Sequence, residues 1–476
     1  MAIRKTKIVA TIGPASEDEE TLVELLKAGV NVVRFNFSHG NHAMHEARLK
    51  KVRSAAKKTG ISIAILQDLS GPKMRTGDLK SDTVILQRGA IVTFVTEKIV
   101  GDALKMSISY RNLPREVKKG THILLDDGAK KLKVIAKGKT WIKCKVVIGG
   151  EIAARRGVNV PGTSLGMNSL TTKDKKDLLF AIKHNIDFVA LSFVRTARDI
   201  QNVKKFLAKR RADINIIAKI ETQDALNNID EIIAEADGVM IARGDLAVEV
   251  PAEEVPIEQR SIIEKCNVSG KPVIVATQML ESMIHSAVPT RAEVGDIANS
   301  IFEGADAIML SAESAIGKYP VQVVETMSRV ARRSEAGFPY ADILAESLVE
   351  AKNIGTVHID DAISHYVVNT AYDIGATVIV ALTESGFTAR MIARYRPQQP
   401  IIVMSPNKKT LGRIILTYGC YPQEITQFKY VGEAIERIKK IVVKEKFAKR
   451  GDKLVISAGV PFGKAGGTNM ILVHKI

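Results

Sequence analysis

At 476 residues the chain exceeds one ordinary core, so two to four domains are expected, one of them large enough for a barrel of about 250 residues. A hydrophobic content of 46% with 25% charged residues is that of a globular protein, and 5% aromatics argue against a sugar-binding or base-stacking surface. The formal net charge of +17 fits nucleic acid or a highly anionic small molecule; dispersal of the basic residues through helical stretches such as Lys204-Lys205 and Lys209-Arg210-Arg211 favours a solvated surface over nucleic-acid binding. Cys144, Cys266 and Cys420 lie far apart without C-x-x-C spacing, which excludes a disulfide framework or zinc site and predicts a reducing, cytoplasmic setting. The start, Met1-Ala2-Ile3-Arg4-Lys5-Thr6-Lys7, lacks a long apolar core, and no apolar run approaches the ~18 residues of a membrane span, so neither a signal peptide nor membrane association is expected.

In chain order, strand-like apolar runs at 7–13, 30–37, 63–69, 188–193, 214–221, 238–245, 272–278 and 307–313 alternate with helical patterns. One such pattern is Glu19-Glu20-Thr21-Leu22-Val23-Glu24-Leu25-Leu26-Lys27-Ala28-Gly29, whose glycine suits a position just past a helix. Eight successive βα units predict a closed (β/α)8 barrel over 1–71 and 172–340, with its active site at the C-terminal mouth of the strands. The strand ends form a polar ring: Arg34, Asn36, Ser38, Asp68, Ser192, Lys219, Glu221, Asp245, Thr277, Ser311 and Glu313.

Two successive runs stand out, Ile214-Asn215-Ile216-Ile217-Ala218-Lys219-Ile220-Glu221-Thr222 and Gly238-Val239-Met240-Ile241-Ala242-Arg243-Gly244-Asp245, each breaking from apolar residues into charge. On adjacent strands, Glu221 and Asp245 can chelate one hard divalent cation while Lys219 meets an anionic substrate group. The alternative is a set of strand-end charges that pair with one another.

About a hundred residues, 72–171, interrupt the alternation after the third strand with short strand patterns at 83–86, 91–95, 122–128 and 141–147, predicting a small inserted β-barrel domain. Leaving and re-entering at the barrel mouth, it is placed to act as a lid, the alternative being a decorative insertion. The segment 339–357 reads as a connection to a third, open and mainly parallel α/β domain at 341–476, with a helix at 360–375 and strands at 377–383, 401–405, 453–459 and 469–476. Its first strand runs into Glu384-Ser385-Gly386-Phe387-Thr388, a turn able to present amides to a phosphate or to serve as a plain connection. The glycine-rich stretch 463–468 is expected to be mobile and able to close over it.

With Thr11-Ile12-Gly13-Pro14-Ala15-Ser16, Val33-Arg34-Phe35-Asn36-Phe37-Ser38-His39-Gly40, Ala218-Lys219-Ile220-Glu221, Ala242-Arg243-Gly244-Asp245-Leu246, Ala276-Thr277-Gln278-Met279-Leu280-Glu281-Ser282-Met283, Pro289-Thr290-Arg291-Ala292-Glu293-Val294 and Met309-Leu310-Ser311-Ala312-Glu313 in order, the chain resembles the pyruvate kinase family over essentially its whole length. The resemblance implies conversion of phosphoenolpyruvate and ADP to pyruvate and ATP, with Mg2+ or Mn2+ held by Glu221 and Asp245. It makes Lys219 and Arg34 the cations facing the phosphoryl group and puts Ser192 in the phosphate pocket. Thr277 and the Gly244-Asp245 amides would meet the substrate carboxylate. Arg75, Asn36, His39 and Pro14 would line the nucleotide side, and Thr277, Ser311 and Glu313 would border a proton relay. The family also implies a homotetramer and a phosphorylated effector.

The motif Gln67-Asp68-Leu69-Ser70-Gly71-Pro72-Lys73-Met74-Arg75 departs from members that need potassium, which carry threonine after the aspartate and glutamate after the proline. The Lys73 ammonium can stand in for the monovalent cation otherwise bound beside Asn36, Ser38 and Asp68, so potassium is not expected to be required. Ala247 replaces a usual glycine, and Phe387 stands where some members have a basic residue. Phe387 argues against a bisphosphate, and members with the lysine version of the third-strand motif tend to respond to AMP or a sugar monophosphate, which Thr383, Ser385, Gly386 and Thr388 would cradle. Alternatives are a metal-dependent aldolase or lyase on a similar barrel, or a basic nucleic-acid-binding protein.

Overall fold

The computed structural model describes residues 3–344, 358–428, 430–460 and 467–476. Eight parallel strands close a barrel, in spatial order Lys7–Thr11, Val32–Asn36, Ala64–Asp68, Phe188–Leu191, Asn215–Ile220, Gly238–Ala242, Val273–Ala276 and Ala307–Leu310, the last pairing with the first. All eight expected runs are present, each strand ending one to three residues before the run does. After Ala242 the chain turns directly into the helix Arg243–Glu249, so Asp245 stands in a helical first turn, not on a strand end.

Alternation along the strands builds the interior in layers. Val9, Val32, Leu66, Ala190, Ile217, Met240, Ala276 and Met309 belong to one inner apolar cluster. Two residues further along their strands come Thr11, Arg34, Asp68, Ser192, Lys219 and Ser311, so the pleat that packs the interior also directs a polar layer into the mouth. The surrounding helices carry conventional start signals. Asp18 accepts the Thr21 N–H at 2.9 Å, and capping boxes open the helices at Thr171/Asp174 and Thr290/Glu293.

The insert is β-rich, with a six-stranded sheet running from Val158–Asn159 through His122–Leu125, Lys130–Lys137, Trp141–Ile148 and Ile91–Val95 to Lys105–Ser107, plus the two-stranded pair Thr83–Leu86 and Gly150–Ala153. Isolated bridges from Arg75 to Gly157 and from Thr76 to Ile108 join the two edges of the large sheet and round it into a small barrel. Its own core includes Phe94, Ile123, Leu132 and Cys144.

The third unit is a five-stranded sheet ordered Cys420–Glu424, Ile401–Ser405, Val378–Leu382, Lys453–Ala458 and Met470–Lys475, parallel except for the last strand. It docks on the closed end of the barrel, where Ile415 and Leu416 join the inner apolar cluster. Lys7, two residues before Val9, projects into this junction and donates to the Cys420 carbonyl at 2.6 Å, 4.1 Å from the Tyr421 ring centroid. Burial pulls the Lys7 pKa down to about 8. Beside it Arg396 pairs with Asp306 at 2.9 Å, both out of solvent. Of the stretch read as a connection, Tyr340 to Leu344 is helical, and 345–357 lies outside the described residues, as does 463–466 of the glycine-rich stretch. Among the described residues no helix is long and apolar enough to cross a membrane.

Candidate active site

Five side chains of the polar layer form one hydrogen-bonded group. Lys219 Nζ lies 2.7 Å from Glu221 Oε1 and 3.3 Å from Asp68 Oδ1, and donates to Ser192 Oγ at 2.8 Å. Arg34 grips the other Asp68 oxygen, Nε at 2.8 Å and Nη2 at 2.6 Å, and its Nη1 donates to Thr11 Oγ1 at 2.8 Å. Ser192 Oγ in turn donates to the Leu69 carbonyl at 2.8 Å. Each of these side chains is buried.

Burial alone would lower the Lys219 ammonium, but the charges of Asp68 and Glu221 outweigh it and raise its pKa. Burial would raise Asp68, yet Lys219 and Arg34 hold it below the usual carboxylate range. Glu221 goes the other way: burial pushes it up, Lys219 pulls down, and the charge of Asp245 adds to the rise. A buried carboxylate whose charge a neighbouring carboxylate opposes is the donor chemistry a hard divalent cation relieves. Among the described residues no cluster of three or more His, Cys, Asp or Glu could hold a metal ion. A magnesium-type ion takes one or two protein carboxylates and fills its shell with water and substrate oxygens, and the charge of Asp245 acting on Glu221 gives this pair the donor chemistry for one.

Thr277 occupies a strained position. Its φ is +70° and that of Gln278 +57°, in the left-handed region that β-branched residues avoid. Arg243, to which the sequence reading gave no role, holds the turn, donating to the Thr277 carbonyl at 2.8 Å and pairing with Asp296 at 2.7 Å. Thr277 Oγ1 accepts the Gly244 N–H at 2.9 Å, so these two expected substrate-binding groups are joined to each other. Ser311 donates its N–H to Glu313 Oε2 at 2.7 Å, while Glu313 Oε1 accepts the Leu280 N–H at 3.3 Å. Burial raises the Glu313 carboxyl, and with both oxygens engaged by backbone it braces two loops.

The remaining candidates lie around the rim. Lys73 has Asp245 Oδ1 and the insert's Asp127 Oδ1 each at 3.8 Å, and these are its ion-pair partners among the described residues; its ammonium therefore faces the Asp245 side of the mouth and not Asp68. Arg75 is exposed and donates to the Arg155 carbonyl at 3.0 Å, within the insert. Pro14 and His39 are exposed, and Asn36 Oδ1 accepts the Ser38 N–H at 3.0 Å. In the third unit, Thr383 Oγ1 accepts the Gly386 N–H at 3.0 Å, Gly386 has φ +82°, and the exposed Ser385 accepts on its carbonyl from Arg390 at 3.3 Å. Thr388 is turned inward, its hydroxyl 2.8 Å from that of Thr468.

Two family models match the chain, "Pyruvate kinase, barrel domain" over residues 3–324 and "Pyruvate kinase, alpha/beta domain" over 361–474. The chain is 45% identical to a pyruvate kinase of Geobacillus stearothermophilus, over 99% of this chain and 80% of that protein. It is 42% identical to one of Clostridium acetobutylicum over 100% of both. A crystal structure of a pyruvate kinase from Cryptosporidium parvum superposes with a TM-score of 0.94 at 35% identity, covering 99% of this chain and 96% of that one. With a polar layer built around one lysine, an inserted β unit at the mouth and matches spanning both large units, the chain belongs to the pyruvate kinase family.

Proposed function

We propose that this mouth transfers the phosphoryl group of phosphoenolpyruvate to ADP, giving pyruvate and ATP, with Mg2+ held by Glu221 and Asp245 and Mn2+ able to replace it. The observation that carries the reading is Lys219 held between Glu221 and Asp68 at 2.7 and 3.3 Å. Charge balance supports it. Lys219, Arg34 and Lys73 supply three positive charges against three negative ones from Asp68, Glu221 and Asp245, so a divalent ion makes the mouth net positive and able to draw in an anionic substrate. Once bound, the ion supplies Lewis acidity that offsets charge on the phosphoryl oxygens and the enolate.

The side chains do the positioning. Lys219 and Arg34 face the phosphoryl oxygens, where charge is greatest in a loose transition state, and the Ser192 hydroxyl orients the ammonium. Thr277 and the Gly244-Asp245 amides hold the substrate carboxylate. The bond from phosphorus to the enol oxygen breaks as a terminal oxygen of ADP bonds to phosphorus. The electron pair left on the enolate is taken up by a proton at carbon, delivered by water bordered by Thr277 and Ser311. Arg75 leaves the Arg155 carbonyl for the nucleotide phosphates, with Asn36 and His39 on the same side and Pro14 by the adenine.

Lys73 does not sit at the Asp68 position expected of the monovalent ion; from the Asp245 side of the mouth it supplies a fixed positive charge that takes over the electrostatic part of potassium. Thr383, Ser385, Gly386 and Thr388 receive the phosphate of AMP or a sugar monophosphate, which activates a cytoplasmic homotetramer. A lactate-dehydrogenase-coupled assay with phosphoenolpyruvate and ADP, run in sodium-only and potassium buffers with and without AMP and sugar monophosphates, tests these assignments. ADP-dependent pyruvate formation in sodium alone is expected. Its absence in every buffer overturns the reaction, and strong potassium activation overturns the role of Lys73.

A further inference from the structure

Residues 192–195, the loop leaving the fourth barrel strand, touch both passages of the chain into the insert and two charged side chains of the mouth. Ser192 Oγ accepts from Lys219 at 2.8 Å and donates to Leu69 O at 2.8 Å, just before the outgoing passage. Gly71 in that passage runs so close that a Cβ there would meet Ser192 Cβ at 2.9 Å and Phe193 Cδ2 at 3.0 Å. Phe193 donates its N–H to Glu221 Oε2 at 2.7 Å. On the far side of the fully buried Val194, the Arg195 guanidinium donates to the carbonyls of Leu165 and Met167, on the returning passage. Between those two residues, Gly166 N–H donates to Glu116 of the insert at 3.2 Å.

Phe193 adopts φ +55°, a conformation that persists only where its surroundings hold it on both sides. One side is fixed by the barrel, with Arg195 N–H on Asp199 at 2.9 Å and Asn228 on the Arg195 carbonyl at 3.0 Å; the other reaches the insert through the guanidinium. A cavity of about 180 Å3 bordered by Lys73, Phe193, Arg195, Thr222 and Glu249 leaves the loop room to relax if that grip is lost. Rotation of the backbone out of that conformation would move the amide from which Glu221 accepts.

We propose that Arg195 is a positioning residue: by clamping the returning passage of the insert, it keeps the Phe193 amide on Glu221 and so sets the orientation of that carboxylate for the divalent ion. The inference rests on Glu221 as a ligand of that ion. The test is Mn2+ binding to the full chain, measured by electron paramagnetic resonance without substrates, for wild type and the variants Arg195→Met, Arg195→Lys, Ser164→Ala and Glu221→Gln, with circular dichroism melts alongside. Arg195→Met is expected to raise the Mn2+ Kd about tenfold, the low end of what loss of a supporting partner does at metal sites. Arg195→Lys, which can cap one carbonyl, is expected to fall between Met and wild type, and carries the test if Arg195→Met does not fold. Ser164→Ala removes a different contact between insert and barrel, Ser164 Oγ on Asp224 at 2.8 Å, and is expected to leave the Kd within about twofold of wild type, well short of that supporting-partner loss. An unchanged Kd in the Arg195 variants, or an equal rise in Ser164→Ala, overturns the clamp and leaves Glu221 a ligand. Wild-type affinity in Glu221→Gln overturns the ligand assignment and the clamp with it.

Discussion

Lys219 lies 2.7 Å from Glu221 with both side chains closed off from solvent, so neither charge is tolerable there without the other. Lys219→Met is therefore expected to do two separable things. It should cut kcat by about a hundredfold or more, the usual effect of losing one charge-stabilising donor, with ADP binding little changed. It should also lower the melting temperature, because Glu221 keeps its burial without its cation, and Lys219→Met/Glu221→Gln should regain part of that loss while staying inactive. Steady-state kinetics and thermal melts check both; an unchanged kcat would remove Lys219 from the chemistry.

Lys73 faces Asp245 and Asp127 at 3.8 Å, at the seam between barrel and insert. Reversing its charge with Lys73→Glu is expected to make the enzyme depend on potassium, whereas wild type runs in sodium-only buffer. Rates measured across a potassium titration decide this, and a variant as active without potassium as with it contradicts the role given to the lysine.

The buried Lys7 gives a pH signature. Its pKa is pulled to about 8 in the folded protein by burial, against an ordinary value of 10.5. Holding the charge costs stability in full below pH 8, progressively less between 8 and 10.5, and nothing above. The stability of wild type relative to Lys7→Met should therefore rise with pH across that window, by about 3 kcal/mol in total at 1.36 kcal/mol per pH unit. Urea unfolding at pH 7.5 and pH 10 measures the difference; a falling or flat trend contradicts the burial of a charged amine at this junction.

Arg396 bonds Asp306 through two nitrogens, at 3.1 and 2.9 Å, and also reaches Asn267 and the Gly304 carbonyl. Asp306 further accepts the Tyr418 N–H at 2.8 Å and the Val273 N–H at 3.1 Å. Arg396→Met leaves a buried carboxylate short of its cation, a change that costs about 3–5 kcal/mol. Faster limited proteolysis between barrel and third unit is expected, with phosphotransfer surviving at low temperature. Cleavage as slow as in wild type would show that this pair does not hold the junction.

Much of the fold is legible because each barrel strand is a short apolar run that leads into polar residues. The two-residue period that packs Ile217 also aims Lys219, so the central lysine followed from the same pattern. Asp245 was found for its chemistry but misplaced by element, since nothing in Ala242-Arg243-Gly244-Asp245 marks where strand becomes helix. Among the described residues, five strands are not marked in the sequence: Lys105–Ser107, Lys130–Lys137, Gly150–Ala153, Val158–Asn159 and Cys420–Glu424. Lys130–Lys137 hides an alternation of Leu132 and Val134 behind its lysines, and Cys420–Glu424 contains a proline tolerated at the sheet edge. Asp68, expected beside a monovalent ion, serves here as the shared counter-ion of Arg34 and Lys219. Arg243, Phe193 and Arg195 act through backbone geometry, and a left-handed phenylalanine leaves no mark in composition or spacing that a glycine would have left.

The insert's shell is sealed by single-residue bridges at Arg75 and Thr76, immediately after the outgoing passage that carries Lys73. The stave that completes the cylinder is thus also its stalk, so a substitution that breaks either bridge opens the shell at the very place where the insert is tied to the barrel.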